Sequence, residues 1–288
     1  MSVWDFEAIG TRWEIVTDAP LPTQVRDAVT AVISDFDAEW SRFRTDSVVS
    51  RLRAEGGTAP APRDTASMLD AYRELSRATQ RAVNPLVGAG LEALGYDAAL
   101  RLTPGAPRAA PRDWERLLHW SASELILREP AMIDVGALGK GRLVDRVVQT
   151  LVTVPGRVIV DAGGDLRVRG GRARIALEHP YDPTSAIGVV QIADRALCAS
   201  AVNRRAWGDR LHHVLDARTG EPVRTWAATW AIGADAMHAD AAATALFFEG
   251  GPGLAQRWGI DWVRMSTDGR VEWSHGFDGE LFRAEPAR

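Results

Sequence analysis

Four short segments hold the residues best suited to chemistry. Met132 to Gly141 reads as an apolar strand delivering Asp134, a turn with Gly136 and Gly139, and then Lys140 opening a helix. Glycines let the backbone come close to a ligand, and the N–H groups of a helix start, helped by a lysine, suit a phosphate. A plain strand-to-helix turn with a solvated lysine fits the same residues. It is not a P-loop, because only two residues separate Gly136 from Gly139, and Gly141 rather than a hydroxyl residue follows Lys140. Val158 to Asp165 is an apolar strand ending in Gly163-Gly164-Asp165, a hairpin turn or a ligand-facing one, and the Rossmann glycine pattern is not matched there.

The third segment, His212 to Gly220, brings adjacent histidines and Asp216 to a turn at Thr219-Gly220. Adjacent strand residues face opposite ways, so one histidine at most shares a face with a given site. His213 has the better spacing to Asp216, which could orient it; a strand histidine with its hydrogen bonds satisfied is the bland alternative. Zinc would want at least three protein ligands, and no further His, Cys or carboxylate stands at a recognisable spacing. In the fourth segment, Asp240 and Thr244 sit four apart on a helix of alanines, which puts a carboxylate and a hydroxyl on one face. Hard oxygen ligands with positions left open for water and phosphate are what Mg²⁺ takes. An exposed Asp beside a Thr bonded to its own backbone fits equally well.

The elements that must position these segments follow from periodicity. Phe6 to Val16 reads as a strand interrupted at Gly10-Thr11. Val25, Val29, Val32, Ile33, Phe36, Trp40 and Phe43 recur at helical spacing behind a Thr23 cap. Thr45-Asp46-Ser47 caps a second helix stopped by Gly56-Gly57, and Met68 to Thr79 forms a third. Residues 97–112, rich in Pro, Gly, Ala and Arg, form a surface loop or insertion. Leu125 to Leu127 and Met132 to Val135 read as strands, and a helix with Val144, Val147, Val148 and Leu151 on one face follows the glycines. Arg157 to Val160, Leu166 to Arg169, Ala173 to Leu177, Gly188 to Ile192 and Leu211 to Leu215 are short strands. A last helix spans Asp235 to Phe248, stopped by Gly250-Gly251-Pro252, before strands at Trp262 to Ser266 and Val271 to Ser274. Helices dominate early and strands late, without βαβ alternation, so the expected class is α+β in one domain over 1–288.

Composition bounds the function. In 288 residues, 46% hydrophobic, the net charge is −4, which argues against a nucleic-acid partner held by a strongly positive surface. Cys198 is the one cysteine, so no internal disulfide is needed. No apolar leader region opens the sequence and no apolar run reaches a membrane span, so a cytoplasmic protein without membrane insertion is expected. Of 34 basic residues, Lys140 is the only lysine. Base-composition drift accounts for the arginines, whereas a site needing a compact ammonium resists the broader, forked guanidinium.

Taken together, the segments carry a resemblance. Gly10-Thr11, SRFRTDSVVSRL at 41–52, IDVGALGKGRLVDRV at 133–147, VDAGGDLRVRG at 160–170, HHVLDARTGEPV at 212–223 and HADAAATALFFEG at 238–250 resemble, in order and over most of the chain, the ApbE-type FAD:protein FMN transferases. The resemblance implies a T-fold-like α+β domain with mixed or antiparallel sheets and flanking helices. It implies an enzyme that binds FAD with Mg²⁺, splits the pyrophosphate and moves FMN onto a Thr or Ser hydroxyl of an acceptor protein, leaving AMP. Metal ligands then fall on Asp240, Thr244 and a backbone carbonyl aligned with Gly139. Lys140 takes the place of the family's turn lysine, expected as a catalytic cation that with Mg²⁺ stabilises charge on the pyrophosphate oxygens, and Gly163, Gly164 and Asp165 that of its nucleotide-contacting turn. His213 takes the place of the histidine suggested as base for the acceptor hydroxyl. Asp134, Gly136, Ser200 and Asp216 complete the expected nucleotide and flavin surroundings. The sequence departs from the family pattern at Ala217 (Pro in relatives), Ala199-Ser200-Ala201 (Thr-Ser-Gly) and Val83-Asn84-Pro85 (Asp-Pro-Thr). FAD hydrolysis to FMN and AMP, or flavin binding without transfer, are the alternatives the same residues allow.

Overall fold

In the computed structural model, residues 1–203, 206–208 and 211–282 are described. An eight-stranded antiparallel sheet takes its strands strictly in chain order: β1 (Ser2–Ala8), β2 (Thr11–Thr17), β3 (Val158–Asp161), β4 (Asp165–Arg169), β5 (Ala196–Ala201), β6 (Trp226–Gly233), β7 (Asp261–Ser266) and β8 (Val271–Trp273). The first strand expected from Phe6 to Val16 is a hairpin. Ile9 and Gly10 both have positive φ, +47° and +71°, the geometry whose twist matches flanking antiparallel strands in a two-residue turn.

Helices fill the excursions between strands. Between β2 and β3 lie α1 (Thr23–Trp40), α2 (Val48–Glu55), α3 (Thr65–Ala78), two short helices (Gly88–Ala93 and Trp114–Leu117) and α4 (Gly139–Thr150). Ser47 accepts from Ser50 N and caps α2, as the sequence predicts, whereas Pro22 and not Thr23 stands at the α1 cap. Between β6 and β7 lie α5 (Ala236–Ala245) and α6 (Gly251–Arg257). α5 ends three residues before the expected Phe248, and Gly250-Gly251-Pro252 opens α6 instead of ending the helical region, because proline fits the first turn of a helix.

Three layers result. On one face of the sheet, Trp13, Ile15, Val158, Val160, Cys198 and Ala231 pack against Val29, Ile33, Val144, Val147 and the alanines of α5. On the other, Leu166, Val168, Leu197, Trp230 and Val263 meet the hairpin Arg172–His179 and Asp182–Ala193 through Leu177, Val190 and Ile192. Covered on both sides, β6 is buried along its whole length, and a run of apolar residues replaces the usual alternation. Residues 97–112 contain neither helix nor strand, but Gly105 N donates to Ala93 O and Ala110 N to Ala217 O, both at 2.8 Å.

Strand β4 sets the site by its parity. Leu166 and Val168 face the hairpin layer, so Asp165, Arg167 and Arg169 face α4. Asp165 stands by Lys140 at the helix start, Arg167 by Asp145 in its middle, and Arg169 donates to Leu151 O and Val154 O past its end. The guanidinium at the carbonyl end matches the helix dipole.

Candidate active site

The turn before α4 is built by Asp134. Its Oδ1 accepts from Gly136 N at 2.7 Å, and its Oδ2 from Nε of the buried Arg42 at 2.6 Å. The Asp134 amide donates to Pro85 O, and its carbonyl accepts from the Tyr72 hydroxyl, which in turn accepts from Ala137 N. With these backbone groups committed to non-ladder partners, Met132–Val135 is an extended loop rather than the expected strand. Asp134 and Gly136 therefore shape the turn from behind. Burial, and then the Asp134 charge, push the Tyr72 phenol far up, so it stays a neutral bridge.

Lys140 leans from the first turn of α4 onto the β3–β4 turn. Its Nζ donates to Ala162 O at 2.8 Å and Gly163 O at 3.3 Å, and pairs with Asp165 Oδ2 at 3.0 Å. An ammonium has three N–H donors, and three oxygens surround this one. Gly163 and Gly164 have φ of +63° and +103°, and a Cβ at 163 would lie 2.2 Å from Thr11 Oγ1. That close approach seats Gly10-Thr11 against the glycine turn. Gly164 O accepts from Ala199 N at 2.9 Å, which places Ser200 beside the same turn. Ala199, Ser200 and Ala201 line a crevice with Glu178, Asn203 and Trp230.

Asp240 and Thr244 meet this turn from α5. Asp240 Oδ2 accepts from Gly141 N at 2.9 Å, and Thr244 Oγ1 donates to Ala137 O at 3.3 Å. The carbonyl beside Thr244 is thus Ala137's. Gly139, expected as that ligand, is the first residue of α4. Burial, and then the charge of Asp165, raise the Asp240 carboxyl well above the usual carboxylate range. Buried Asp165 is paired with Lys140 through its Oδ2 and stands next to Asp240. Two neighbouring buried carboxylates, a hydroxyl and a backbone carbonyl suit a hard cation such as Mg²⁺.

The histidine segment lies on another edge. Leu211–His212 and Leu215–Asp216 are separate two-residue strands, not the single strand expected. His212 is buried, with Nε2 against Val223 O at 2.8 Å and Nδ1 accepting from Val214 N. It serves the backbone, which breaks the strand, and burial lowers its pKa. Asp216 Oδ1 accepts from Arg218 N and Nε, and its Oδ2 from Nη2 at 2.6 Å; this arginine, not His213, occupies the carboxylate. Ala217 N donates to Ala82 O, so the segment joins the Asp134 turn through residues 82–85.

Residues 9–261 match the sequence profile of the ApbE family. The chain belongs to that family. A FAD:protein FMN transferase of Rhodobacter capsulatus is 25% identical over 297 positions, covering 92% of this chain and 55% of the relative. One from Treponema pallidum is 28% identical over 272 positions, covering 82% and 75%. The chain thus spans little more than half the Rhodobacter protein. An ApbE protein of Thermotoga maritima superposes with a TM-score of 0.81 at 22% identity, covering 95% of this chain and 97% of that one. The flavinyl transferase ApbE of Pseudomonas stutzeri superposes at 0.78 and 22%, covering 95% and 94%. At that identity the likeness is one of fold, and it agrees with the expected α+β class.

Within this ApbE-family chain, sequence reasoning brought Lys140, Gly163, Gly164, Asp165, Ser200, Asp240 and Thr244 to one place. It missed Arg42, Tyr72, Asp145 and Arg167. Arg42 lay in a quoted segment without a role, and Tyr72 read as one more apolar-face residue of α3. Asp145 carried a usable cue, an acid between Val144 and Arg146 on a helix whose neighbours are buried.

Proposed function

We propose that this chain transfers FMN from FAD to a Thr or Ser hydroxyl of an acceptor protein in a Mg²⁺-dependent reaction that releases AMP. The carrying observation is the convergence of Asp240, Thr244, Ala137 O and the Lys140-paired Asp165 carboxylate beside a left-handed glycine turn. The names of the relatives support the choice of substrate. Asp240, Thr244 and Ala137 O would hold the cation, with Asp165 beside them. Bound there, the cation supplies positive charge to the pyrophosphate oxygens, where charge builds as the bond breaks.

The chain's own residues do the rest. The glycines at 163 and 164 and at the start of α4 let the backbone come close to a nucleotide with few side chains in between. Lys140, held by three oxygens, ties these two pieces together and so acts as a positioning residue. The acceptor oxygen forms a bond to the FMN phosphorus, the P–O bond to AMP breaks, and the hydroxyl proton passes to His213. A neutral imidazole, with an ordinary pKa of about 6.5, accepts such a proton near neutral pH.

Incubation with FAD, Mg²⁺ and an acceptor domain, followed by chromatography, should give AMP and flavin bound to the acceptor. AMP without an acceptor identifies water as the nucleophile. FAD binding with no AMP under any condition overturns the assignment in favour of a binding protein.

A further inference from the structure

We propose that Asp145, braced by Arg167, is a positioning residue for Asp240; this rests on the reading of Asp240 as a cation ligand. The first four N–H groups of a helix lack intrahelical acceptors. In α5, the side chain of the cap residue Asp235 accepts from His238 N at 2.9 Å, and Ala239 N makes the first i→i−4 bond, to Asp235 O. Two more are served from α4. Ala236 N donates to Asp145 Oδ1 and Met237 N to Asp145 Oδ2, each at 3.0 Å.

Two carboxylate oxygens on successive amides fix both the position and the roll of that first turn. Asp145 is only 5% exposed, and Arg167 of β4 pairs with it from the sheet. One turn further along α5, Asp240 accepts in return from Gly141 N of α4. Each helix thus places a carboxylate on the other's N-terminal amides. The contact has no slack, since a Cβ on Gly141 would stand 2.2 Å from Ala236 O. A roll of α5 would carry Asp240 and Thr244 together away from Ala137 O. An asparagine at 145 keeps one acceptor, turns an NH₂ towards an amide N–H, and loses its charge against Arg167 and the helix dipole.

The test uses the full chain, D145N and R167Q, with Mn²⁺ as the probe and folding checked by circular dichroism. Calorimetry should show Mn²⁺ binding to D145N weakened about tenfold or more, with FAD affinity in EDTA unchanged within about twofold. The Mg²⁺ concentration for half-maximal FMN transfer should rise in step, while kcat at saturating Mg²⁺ recovers. R167Q should shift the same way by less. Folded D145N that binds Mn²⁺ like the parent, or a loss of kcat that Mg²⁺ does not restore, overturns the role. Should D145N fail to fold, parental Mn²⁺ affinity in R167Q overturns it instead. A parent chain that binds no Mn²⁺ brings down the functional reading itself, a different result.

Discussion

At Lys140 three oxygens converge on one nitrogen from the Ala162, Gly163 and Asp165 positions. A planar guanidinium spreads its donors over a wider fork and cannot fill that point. K140R should therefore leave part of the turn unsatisfied, lowering stability by about 1–2 kcal/mol in denaturant melts. It should also slow FMN transfer about tenfold or more, by displacing the glycine turn from α4. Parental stability and turnover would show that the lone lysine is a compositional remnant. His212 gives a pH-dependent counterpart. Its pKa is lowered by burial, so as pH falls through about 6.5 the unfolded chain takes up a proton that native His212 refuses. The stability it contributes is present above that pH and fades below it. The gap between the parent and H212N should narrow between pH 7.5 and 5.5, and a gap that widens contradicts the neutral, backbone-bound imidazole. At this scale the sequence was informative wherever a residue type is rare, as at Lys140. It was silent on Tyr72 and Arg42, whose partners lie 62 and 92 positions away.

Among elements, the α4–α5 contact is the tightest constraint near the site. G141A places a methyl carbon 2.2 Å from Ala236 O and 2.7 Å from the Asp240 Cβ, and backbone cannot yield as a flexible side chain can. Overpacking of this kind costs about 1–3 kcal/mol, and here it pushes directly on the residue carrying Asp240. Thermal melts should show the loss, and Mn²⁺ affinity should fall with it; a fully stable G141A would mean that the helices separate freely. Periodicity made α1, α3, α4 and most sheet strands legible, because each has a continuous buried stripe. It failed at Met132–Val135 and Leu211–Leu215, which look like strands by composition. There Tyr72, Pro85 and the His212 ring take the backbone groups that a ladder would use, and only tertiary structure reveals that competition.

Over the whole molecule, a sheet laid down in chain order brings together pieces that sequence separates widely. β2 and β3 are neighbours although residues 18–157 intervene, and that excursion delivers α4 to the face of β4. No local pattern encodes this closure, which is why the motifs were legible one by one while their meeting point came only from the resemblance. Their meeting has a global consequence. Without a cation, ionised Asp240 beside Asp165 opposes folding, since burial and that neighbour both disfavour its charge. Stability in EDTA should therefore fall as pH rises above the ordinary carboxylate range of about 4. D240N removes the charge and keeps an oxygen for Gly141 N, so in EDTA at pH 8 it should melt at or above the parent. Mg²⁺ reverses the order: at one hundred times its Kd it adds about 2.7 kcal/mol to a chain that binds it only when folded, and nothing to D240N. A parent whose melting temperature ignores both Mg²⁺ and the D240N substitution has no cation site between these carboxylates. A parent that gains with Mg²⁺ while D240N gains equally has its site elsewhere in the fold.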